Sequence, residues 1–334
     1  MLSVDTLEEE IALRPARIDE YVGQDNLKEN LKVFISAARQ RNETLDHVLL
    51  YGPPGLGKTT LAHIIANEMN GNLKVINGPS IEKAGDLAAV ISSIQPGDIL
   101  FIDEIHRLPK VVEEILYGPM EDFTLSIVTS LDNGSDMFDI SIPPFTLVGA
   151  TTRAGSLSSP LRARFGIIQK LKYYTEDELT LIVQRTSRVL DSSIEEPAAR
   201  EIAKRSRGTP RIANRIFRRV RDFCIYKNSK IITKEIALHA LRMLDIDCVG
   251  LDEVDIKYLN ALYLRFNGRP VGVETIANTI GEERSNLEDV YEPYLLQIEF
   301  INRTNRGREI TQKGIDHLLK YHNDFDGGFW VILY

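Results

Sequence analysis

A glycine-rich stretch near the start of the chain has the composition and spacing of a phosphate-binding loop. Residues 52–59 read GPPGLGKT, which fits the pattern G-x-x-x-x-G-K-[ST], and they lie between an apolar run and a helical pattern. Glycines let backbone N–H groups turn inward around phosphate oxygens, and the start of the next helix adds positive potential. We therefore expect Lys58 to reach the β- and γ-phosphates of a nucleotide and the Thr59 hydroxyl to bind Mg²⁺.

Two carboxylates end another apolar run further along the chain. The run is ILFI at residues 99–102, and Asp103 and Glu104 follow it directly. Asp103 is predicted to hold Mg²⁺, directly or through water, and Glu104 to polarise the water that attacks the nucleotide. An acid at a strand end can also cap the following helix, but the phosphate-binding loop earlier in the chain favours the catalytic interpretation.

A threonine and a pair of arginines give weaker signals for the same chemistry. Thr151 and Thr152 lie in the string GATTR at residues 149–153, which ends the fourth apolar run, and a hydroxyl there could hold the attacking water or the γ-phosphate. Residues 160–165 read PLRARF, and one of the two arginines could neutralise charge that develops in the transition state. Without the two stronger motifs, we would interpret the threonine as structural and the arginines as solvated.

The elements that must position these groups predict a parallel α/β domain over residues 1–172. Four short apolar runs lack strict alternation, which suits strands buried on both faces, and amphipathic helical patterns separate them. We therefore expect a parallel sheet flanked by helices. The four runs are residues 47–51, 73–76, 99–102 and 146–148.

Residues 123–142 interrupt that pattern with the alternation of a β-hairpin. Apolar and polar residues alternate on both sides of the turn signal DNG at 132–134, where Asn-Gly tolerates positive φ. The apolar face of such a hairpin either packs on the sheet or docks a partner protein. The apolar positions are Phe123, Leu125, Ile127, Phe138, Ile140 and Ile142.

Two smaller domains are predicted after the sheet. Residues 173–247 have only helical patterns, and Pro210 suits the first position of a helix, with Arg211 in its first turn. Residues 248–334 give helices, a glycine-containing turn and a hairpin, in the order of a winged helix. A small all-helical domain and a C-terminal winged-helix domain are therefore expected.

Arginines dominate the tip of the predicted wing. Arg303, Arg306 and Arg308 lie in a stretch without an acid, and Arg284 lies near the start of the predicted recognition helix. Arginine binds DNA phosphates without reading sequence, so we expect these residues to contact the backbone of a duplex. The alternative is that the arginines form a solvated tip.

Composition sets limits on the function. The 334 residues carry a formal net charge of −8 at pH 7, which argues against binding nucleic acid through bulk charge alone. Two cysteines exclude a disulfide framework and a zinc site built from cysteine. We predict neither a signal peptide nor a membrane span, and therefore a cytoplasmic protein. The apolar end FWVILY, residues 329–334, has no predicted role.

Four strings in the chain resemble one family of AAA+ ATPases, the RuvB family of bacterial Holliday-junction branch-migration motors. They are GPPGLGKTTLA from residue 52, ILFIDEIHRL from residue 99, GATTRAGSLSSPLRARFG from residue 149 and RGTPRIANR from residue 207. The resemblance extends from about Leu13 to about Thr311. It implies an AAA+ P-loop domain, a small helical lid domain and a C-terminal winged-helix domain.

The resemblance also implies a function and partners. Members of the family form homohexameric rings around duplex DNA at four-way junctions and pump the DNA by converting ATP to ADP with Mg²⁺. They work in recombination and repair with a RuvC-type resolvase and with a RuvA-type junction-binding protein, which docks on the hairpin. The hairpin residues that correspond to this docking surface are Leu125, Ile127, Phe138 and Ile140.

Residue roles follow from the same resemblance. Thr152 corresponds to sensor 1, Arg164 to a finger that acts on the site of a neighbouring subunit, and Arg211 to sensor 2, which reports the γ-phosphate. The resemblance puts a larger set of residues at the nucleotide. They are Leu13, Arg14, Tyr21, Gly55, Leu56, Gly57, Lys58, Thr59, Thr60, Glu121, Asp122, Phe123, Tyr174, Pro210 and Arg211.

A second class of function stays open at this point. A nucleotide-switched module that binds or loads DNA, such as a replication initiator or a clamp loader, would share the phosphate-binding loop and the acids. Glu104 together with Arg164 favours repeated hydrolysis. The wing disfavours a clamp loader, because the third domain of a clamp loader is normally a helical collar.

Overall fold

The computed structural model of this chain describes residues 12–131 and 134–324, without the side chains of residues 127–137 and 321–324. The apolar end at residues 329–334 therefore lies outside the described residues. Within the described ranges, no helix has the length and apolar character that crossing a membrane requires.

A parallel sheet forms the centre of the first of two compact units, Met1–Tyr174. The strands of this unit are β1 (Val48–Tyr51), β2 (Leu73–Asn77), β3 (Ile99–Asp103), β4 (Thr124–Leu131), β5 (Gly134–Ser141), β6 (Thr146–Thr151) and β7 (Ile167–Lys170). Five of them are hydrogen-bonded in the order β2-β3-β6-β1-β7, and every one of these pairings is parallel.

Helices lie around the sheet and contribute apolar residues to the core of this unit. In the first of them, Leu27, Leu31 and Ile35 recur every four residues and are all buried. The helices of this unit are α1 (Asp25–Arg41), α2 (Lys58–Met69), α3 (Ala84–Ser92), α4 (Lys110–Ile115), α5 (Tyr117–Glu121) and α6 (Ser159–Ala163). A parallel sheet flanked by helices confirms the predicted fold class of this part of the chain.

Strands β4 and β5 pair with each other as an antiparallel hairpin outside the main sheet. The register joins Leu125 to Ile140 and Ile127 to Phe138, so the predicted alternation is that of the observed hairpin. Residues 132 and 133 of the predicted turn lie outside the described residues.

The second unit, Thr175–Tyr334, begins with a helical lid. The lid helices are α7 (Glu176–Val189), α8 (Glu196–Lys204), α9 (Pro210–Tyr226) and α10 (Lys234–Met243). The expectation of helical structure alone is wrong in one detail, because β8 (Ser193–Ile194) and β9 (Ile231–Ile232) form a short parallel pair. Two residues in each strand carry too little pattern to be distinguished from the ends of helices.

A winged helix completes the second unit and has its own apolar core, which includes Tyr258, Leu262 and Leu295. Its elements are α11 (Glu253–Asn260), α12 (Val273–Ile280), α13 (Arg284–Asn286), α14 (Glu292–Gln297), β10 (Ile301–Thr304), β11 (Gly307–Ile310) and α15 (Gln312–Asp324). The wing is the antiparallel pair β10–β11. Gly307 is required at its tip, because a Cβ there would lie 2.3 Å from the carbonyl oxygen of Val271.

Candidate active site and DNA-binding wing

The predicted catalytic groups meet at one edge of the sheet. Strand β6 lies between β3 and β1, and the register pairs Tyr51 with Thr151 at the carboxyl ends of β1 and β6. The phosphate-binding loop follows Tyr51, Asp103 ends β3, and Thr152 follows β6. The loop, the acids and the threonine therefore lie at the edge of a parallel sheet where ligands usually bind.

The loop has a backbone conformation that only glycine adopts readily. Gly52, Gly55 and Gly57 have φ values of 147°, 78° and 97°. A Cβ on Gly52 would lie 2.6 Å from the carbonyl oxygen of Leu171, and one on Gly57 would lie 2.8 Å from the hydroxyl of Tyr21. Glycine is therefore required at both positions, where the loop packs against Leu171 and Tyr21 in the glycine-rich conformation that phosphate-binding loops use.

Lys58 opens helix α2 and points back into the loop. Its buried ammonium donates hydrogen bonds to the carbonyl oxygens of Gly52 and Pro53, both at 2.9 Å. Thr59 and Thr60 follow in the first turn of the same helix. A hydroxyl at Thr59 and a carboxylate at Asp103 are hard oxygen donors, so the residues present fit Mg²⁺ together with nucleotide phosphates.

Two buried tyrosines support the loop from behind. The hydroxyls of Tyr21 and Tyr174 lie 2.8 Å apart, and each is within hydrogen-bond distance of the carbonyl oxygen of Leu56, at 3.1 and 3.2 Å. Leu13 is also buried. The structure thus gives the two tyrosines a shared physical task, which is to fix the backbone of the loop at Leu56.

Arg14 contacts the helix that follows the loop. Its Nη1 lies 3.0 Å from Nε2 of His63 on α2. Burial of His63, and secondarily the positive charge of Arg14, lowers the pKa of the imidazole. His63 was absent from the sequence predictions, since a lone histidine in a helix carries no signal of this kind.

Glu104 is held in an unusual backbone conformation. Its φ is 53°, in the left-handed region, and its N–H donates to Oδ1 of Asp103 at 2.9 Å. Such a conformation in a residue with a side chain costs free energy and is concentrated at functional sites. The Glu104 carboxylate lies 3.7 Å from Nε2 of His106.

Sequence reasoning assigned no role to His106, and the resemblance selected Thr152 over Thr151, yet the structure joins His106 to Thr151. Nδ1 of His106 lies 2.9 Å from the hydroxyl of Thr151, which also accepts a hydrogen bond from the N–H of Arg153. The hydroxyl that links the strand end to the acids is therefore that of Thr151, whereas the predicted residue, Thr152, lies one position further along. The only available signal was the position of His106 inside the string ILFIDEIHRL.

Arg164 and Glu121, two separately predicted residues, form a pair. Nη2 of Arg164 donates to Oε2 of Glu121 at 3.0 Å, and Nη1 donates to the carbonyl oxygen of Pro160 at 3.0 Å. The guanidinium also stacks over the ring of Tyr117, with its central carbon 4.1 Å from the ring centroid. Sequence analysis gave Glu121 no physical role, and this contact supplies one.

The base of the hairpin belongs to the core. Asp122 ends helix α5, and the ring of Phe123 meets that of Phe145 edge-on at a centroid distance of 6.2 Å. Leu125 is fully buried, so the prediction that it contacts a partner protein is wrong for this fold. Phe138 and Ile140 are exposed as a docking surface requires, and the side chain of Ile127 lies outside the described residues.

In the lid, Pro210 begins helix α9, and Arg211 follows it as an exposed side chain in the first turn. This local placement is the predicted one. A helix start with an exposed arginine is a suitable position for a group that reaches toward phosphate.

A buried carboxylate organises the wing. Glu292 is 0% exposed and accepts hydrogen bonds from the Tyr258 hydroxyl at 2.9 Å, from Nε of Arg303 at 2.9 Å and from Nε of Arg308 at 3.0 Å. Arg308 also donates to Glu288 at 2.8 Å. The side chain of Arg303 remains 47% exposed, whereas that of Arg308 is 16% exposed.

These contacts show that the wing arginines are paired with acids, which the sequence analysis did not foresee, while DNA contact by Arg284, Arg303 and Arg308 stays a prediction. Arg308 neutralises two carboxylates and is largely covered, so it is part of the structure of the domain. Arg284 is exposed but pairs with Glu288 and Glu274 at 3.2 and 3.5 Å. The sequence showed that no acid lies between residues 302 and 308, but it did not show that acids from the neighbouring helices meet the arginines.

Three family models match consecutive parts of the chain. Residues 13–171 match the Holliday junction DNA helicase RuvB P-loop domain, residues 174–247 the RuvB AAA lid domain, and residues 248–319 the RuvB C-terminal winged helix domain. Their order confirms the lid and the winged helix of the predicted fold class.

Solved structures of RuvB from Thermotoga maritima are similar to most of the chain. The protein described as the Holliday junction branch migration motor is 51% identical, with a TM-score of 0.84, over 92% of this chain and 98% of that chain. A mutant of the same protein gives the same identity and coverage with a TM-score of 0.85. A match of this extent, supported by three family models in the same order, shows that the chain belongs to the RuvB family.

Proposed function

We propose that this chain is an ATP-driven motor that moves the branch point of four-way DNA junctions, which is the activity by which its Thermotoga maritima relative is described. One observation carries the proposal. A phosphate-binding loop and two carboxylates meet at one sheet edge in a chain that also contains a winged helix. Hydrolysis and contact with DNA are the two capacities that a motor of this kind must combine.

The nucleotide chemistry follows from the residues at the sheet edge. Lys58 would exchange its two carbonyl contacts for phosphate oxygens of ATP, and Thr59 and Asp103 would hold Mg²⁺. When bound, Mg²⁺ neutralises charge on the β- and γ-phosphates. Glu104 would orient the attacking water and take up its proton, while His106, bonded to the Thr151 hydroxyl, keeps the carboxylate in place.

A ring of six identical chains would complete each site. Arg164 would act on the nucleotide of a neighbouring subunit, where a guanidinium stabilises charge in the transition state. Its contacts with Tyr117 and Glu121 support this role, since they fix the position of the partly exposed guanidinium on its own subunit. The neighbour's nucleotide would then compete with Glu121 for the arginine.

The proposed partners follow from the wing and from the β4–β5 hairpin. Duplex DNA would lie along the wing and contact Arg303 and Arg306 through its phosphates. A RuvA-type junction-binding protein would cover the exposed apolar residues Phe138 and Ile140 of the hairpin. A RuvC-type resolvase would act on the same junction, and the site of action would be the cytoplasm, where the DNA is.

A branch-migration assay on a synthetic four-way junction tests the proposal. The chain should convert the junction to duplex products with ATP, faster when a RuvA-type protein is present, and should hydrolyse ATP repeatedly. The Phe138→Ser variant tests the docking surface in the same assay. It should lose the stimulation by the RuvA-type protein and keep the basal hydrolysis of ATP. A single turnover for each assembly on DNA, without movement of the branch point, would instead support a nucleotide-switched loader.

Mixing experiments test the action of Arg164 between subunits. Arg164→Ala should bind ATP without hydrolysing it, and mixing it with Lys58→Ala subunits should partly restore hydrolysis. Rings that form normally from the mixture and recover no activity would contradict action on a neighbouring site.

A further inference from the structure

A buried arginine of the lid binds the first helix of the winged helix. Arg207 precedes helix α9, and its guanidinium donates to the carbonyl oxygen of Gly250 at 2.7 Å, to Asp252 at 3.0 Å and to Asp255 at 2.5 Å. Its central carbon lies 5.5 Å from the centroid of the Tyr294 ring. One lid side chain therefore contacts three parts of the chain: the linker between α10 and α11 (residues 244–252), helix α11 and helix α14 of the winged helix.

The two acids that Arg207 binds also cap helix α11. Asp252 is the N-cap, and its Oδ1 accepts from the N–H groups of Val254 and Asp255, while Asp255 accepts from the N–H of Asp252. Asp255 is fully buried, and burial raises the pKa of its carboxyl above the usual value, a rise that the charge of Arg207 opposes only in part. The helix start and the lid arginine thus depend on each other.

The linker between the two domains is bonded at most of its positions. Asp247 is buried and accepts from the N–H groups of Val249 and Leu251, and its other oxygen lies 2.6 Å from Nε2 of His317. The hydroxyl of Tyr294 donates to the carbonyl oxygen of Val249 at 2.6 Å. A flexible hinge needs backbone groups without hydrogen-bond partners, so we expect this linker to be rigid.

Gly250 shows how closely the lid and the linker approach each other. Its φ is 89°, and a Cβ at this position would lie 2.4 Å from the carbonyl oxygen of Arg205 in the lid. The adjoining lid loop is also constrained, since Arg207 itself has a φ of 52°. Contact of backbone against backbone leaves little room for the domains to slide.

We propose that Arg207 is a positioning residue that joins the lid and the winged helix into one lever, so that a displacement of the helix carrying Arg211 moves the wing. Arg207 lies directly before this helix and fastens its start to the start of α11. Arginine suits the task because its planar fork binds two carboxylates and a carbonyl oxygen at once, which a lysine cannot do. The activity part of this inference rests on the proposed motor function.

Two variants separate loss of the lever from loss of folding. Arg207→Gln removes the clamp but leaves Asp255 buried without its counter-charge, which can unfold the domain. Arg207→Gln combined with Asp255→Asn removes both charges and should fold. The matched control is Arg200→Gln, since Arg200 pairs with Asp177 and Glu196 inside the lid alone.

The first measurement is the distance distribution between spin labels in the full chain. The labels are attached at Lys227→Cys in the lid and Asn278→Cys in the winged helix, with Cys248→Ser to remove the exposed native thiol. We expect one narrow distribution, with or without ADP, in the parent chain and in Arg200→Gln. The double variant should give a broad one. A broad distribution in the parent chain, or a narrow one in the double variant, would overturn the proposal.

The second measurement compares ATP hydrolysis with branch migration. In the double variant, we expect hydrolysis to stay near the parent rate while branch migration slows about tenfold, so that more ATP is used for each step. Equal losses in both rates would indicate a structural defect and overturn the coupling role. If the parent chain moves no junction, the motor function fails, and the distance measurement still decides whether Arg207 fastens the two domains.

Discussion

Lys58 in the phosphate-binding loop and Arg308 in the wing are both cations that the sequence assigns to phosphate, but their surroundings differ. The ammonium of Lys58 donates to two backbone carbonyl oxygens, which are neutral. The guanidinium of Arg308 donates to the carboxylates of Glu292 and Glu288. Whether a cation is available to a ligand therefore depends on the free energy of the contacts that it must break in order to bind one.

The two exchanges differ in free energy. A hydrogen bond between an ammonium and a neutral carbonyl is worth roughly 1.5–3 kcal/mol net, but breaking it leaves no carboxylate without its counter-charge, so a phosphate oxygen can replace it. Removing the partner of a buried carboxylate leaves a charge without compensation, which costs about 3–5 kcal/mol. Glu292 is fully buried, so breaking its ion pair with Arg308 carries this cost. Arg303 binds the same carboxylate but is itself exposed, so we expect the cost of breaking its contact to lie between the costs for Lys58 and Arg308.

Replacing Lys58 should give the largest effect on activity. Lys58→Ala should lower the ATP hydrolysis rate about 100-fold or more, because a preorganised donor to the phosphates is lost. The melting temperature should change little, since the two carbonyl oxygens that Lys58 binds are not charged. Steady-state hydrolysis and thermal unfolding check both parts. Hydrolysis near the parent rate would contradict a role for Lys58 at the phosphates, and with it the contrast drawn between Lys58 and Arg308.

Replacing Arg308 should give the largest effect on stability. Arg308→Ala should lower the free energy of unfolding of the winged helix by about 2–3 kcal/mol, because Glu292 then keeps only Arg303 and Tyr258. Urea denaturation of the full chain, followed by a probe in this domain, measures the loss. An unchanged stability combined with weaker DNA binding would mean that Arg308 serves DNA after all.

Arg303 should show both kinds of effect in moderate size. Arg303→Ala removes two hydrogen bonds to Glu292 but leaves Arg308 in place, so we expect a loss of about 1–2 kcal/mol in stability. Duplex binding should weaken alike for every sequence, since phosphate contacts carry no sequence information. Binding isotherms on unrelated duplexes check this, and a loss confined to one sequence would contradict contact with the backbone alone.

Arg306 should give the smallest change and serves as the control for the wing. It is exposed at the tip of the β10–β11 hairpin. Arg306→Ala should leave the unfolding curve unchanged and reduce the slope of log binding constant against log salt by about 1, as expected for one phosphate contact. A destabilised winged helix in this variant would show that position in the wing, and not pairing with Glu292, governs stability.

The nucleotide edge could be predicted well because its signals are local. The glycine spacing from Gly52 to Gly57 reflects a backbone conformation that the loop itself requires. The buried runs that precede the loop and Asp103 indicate strands without reference to the rest of the chain. Parallel strands bring their carboxyl ends to one edge, so the meeting of these groups follows from the pattern.

The contacts that the sequence did not reveal join residues far apart in the chain. His106 meets Thr151, Arg164 meets Glu121, and Arg207 meets Asp255. None of these pairs has a periodicity or a spacing that marks it. For the same reason, Leu125 was interpreted as a docking residue, although alternation alone cannot tell which apolar residues of a hairpin the core covers.

The sequence by itself determined the elements, the phosphate-binding loop and the family, because glycine positions, apolar runs and motif strings are properties of neighbouring residues. Only the tertiary structure decided which cations hold the fold together and which are available to a ligand. The reason is that the cost of moving a charge depends on burial and on the partners that folding brings to it, and both come from distant parts of the chain.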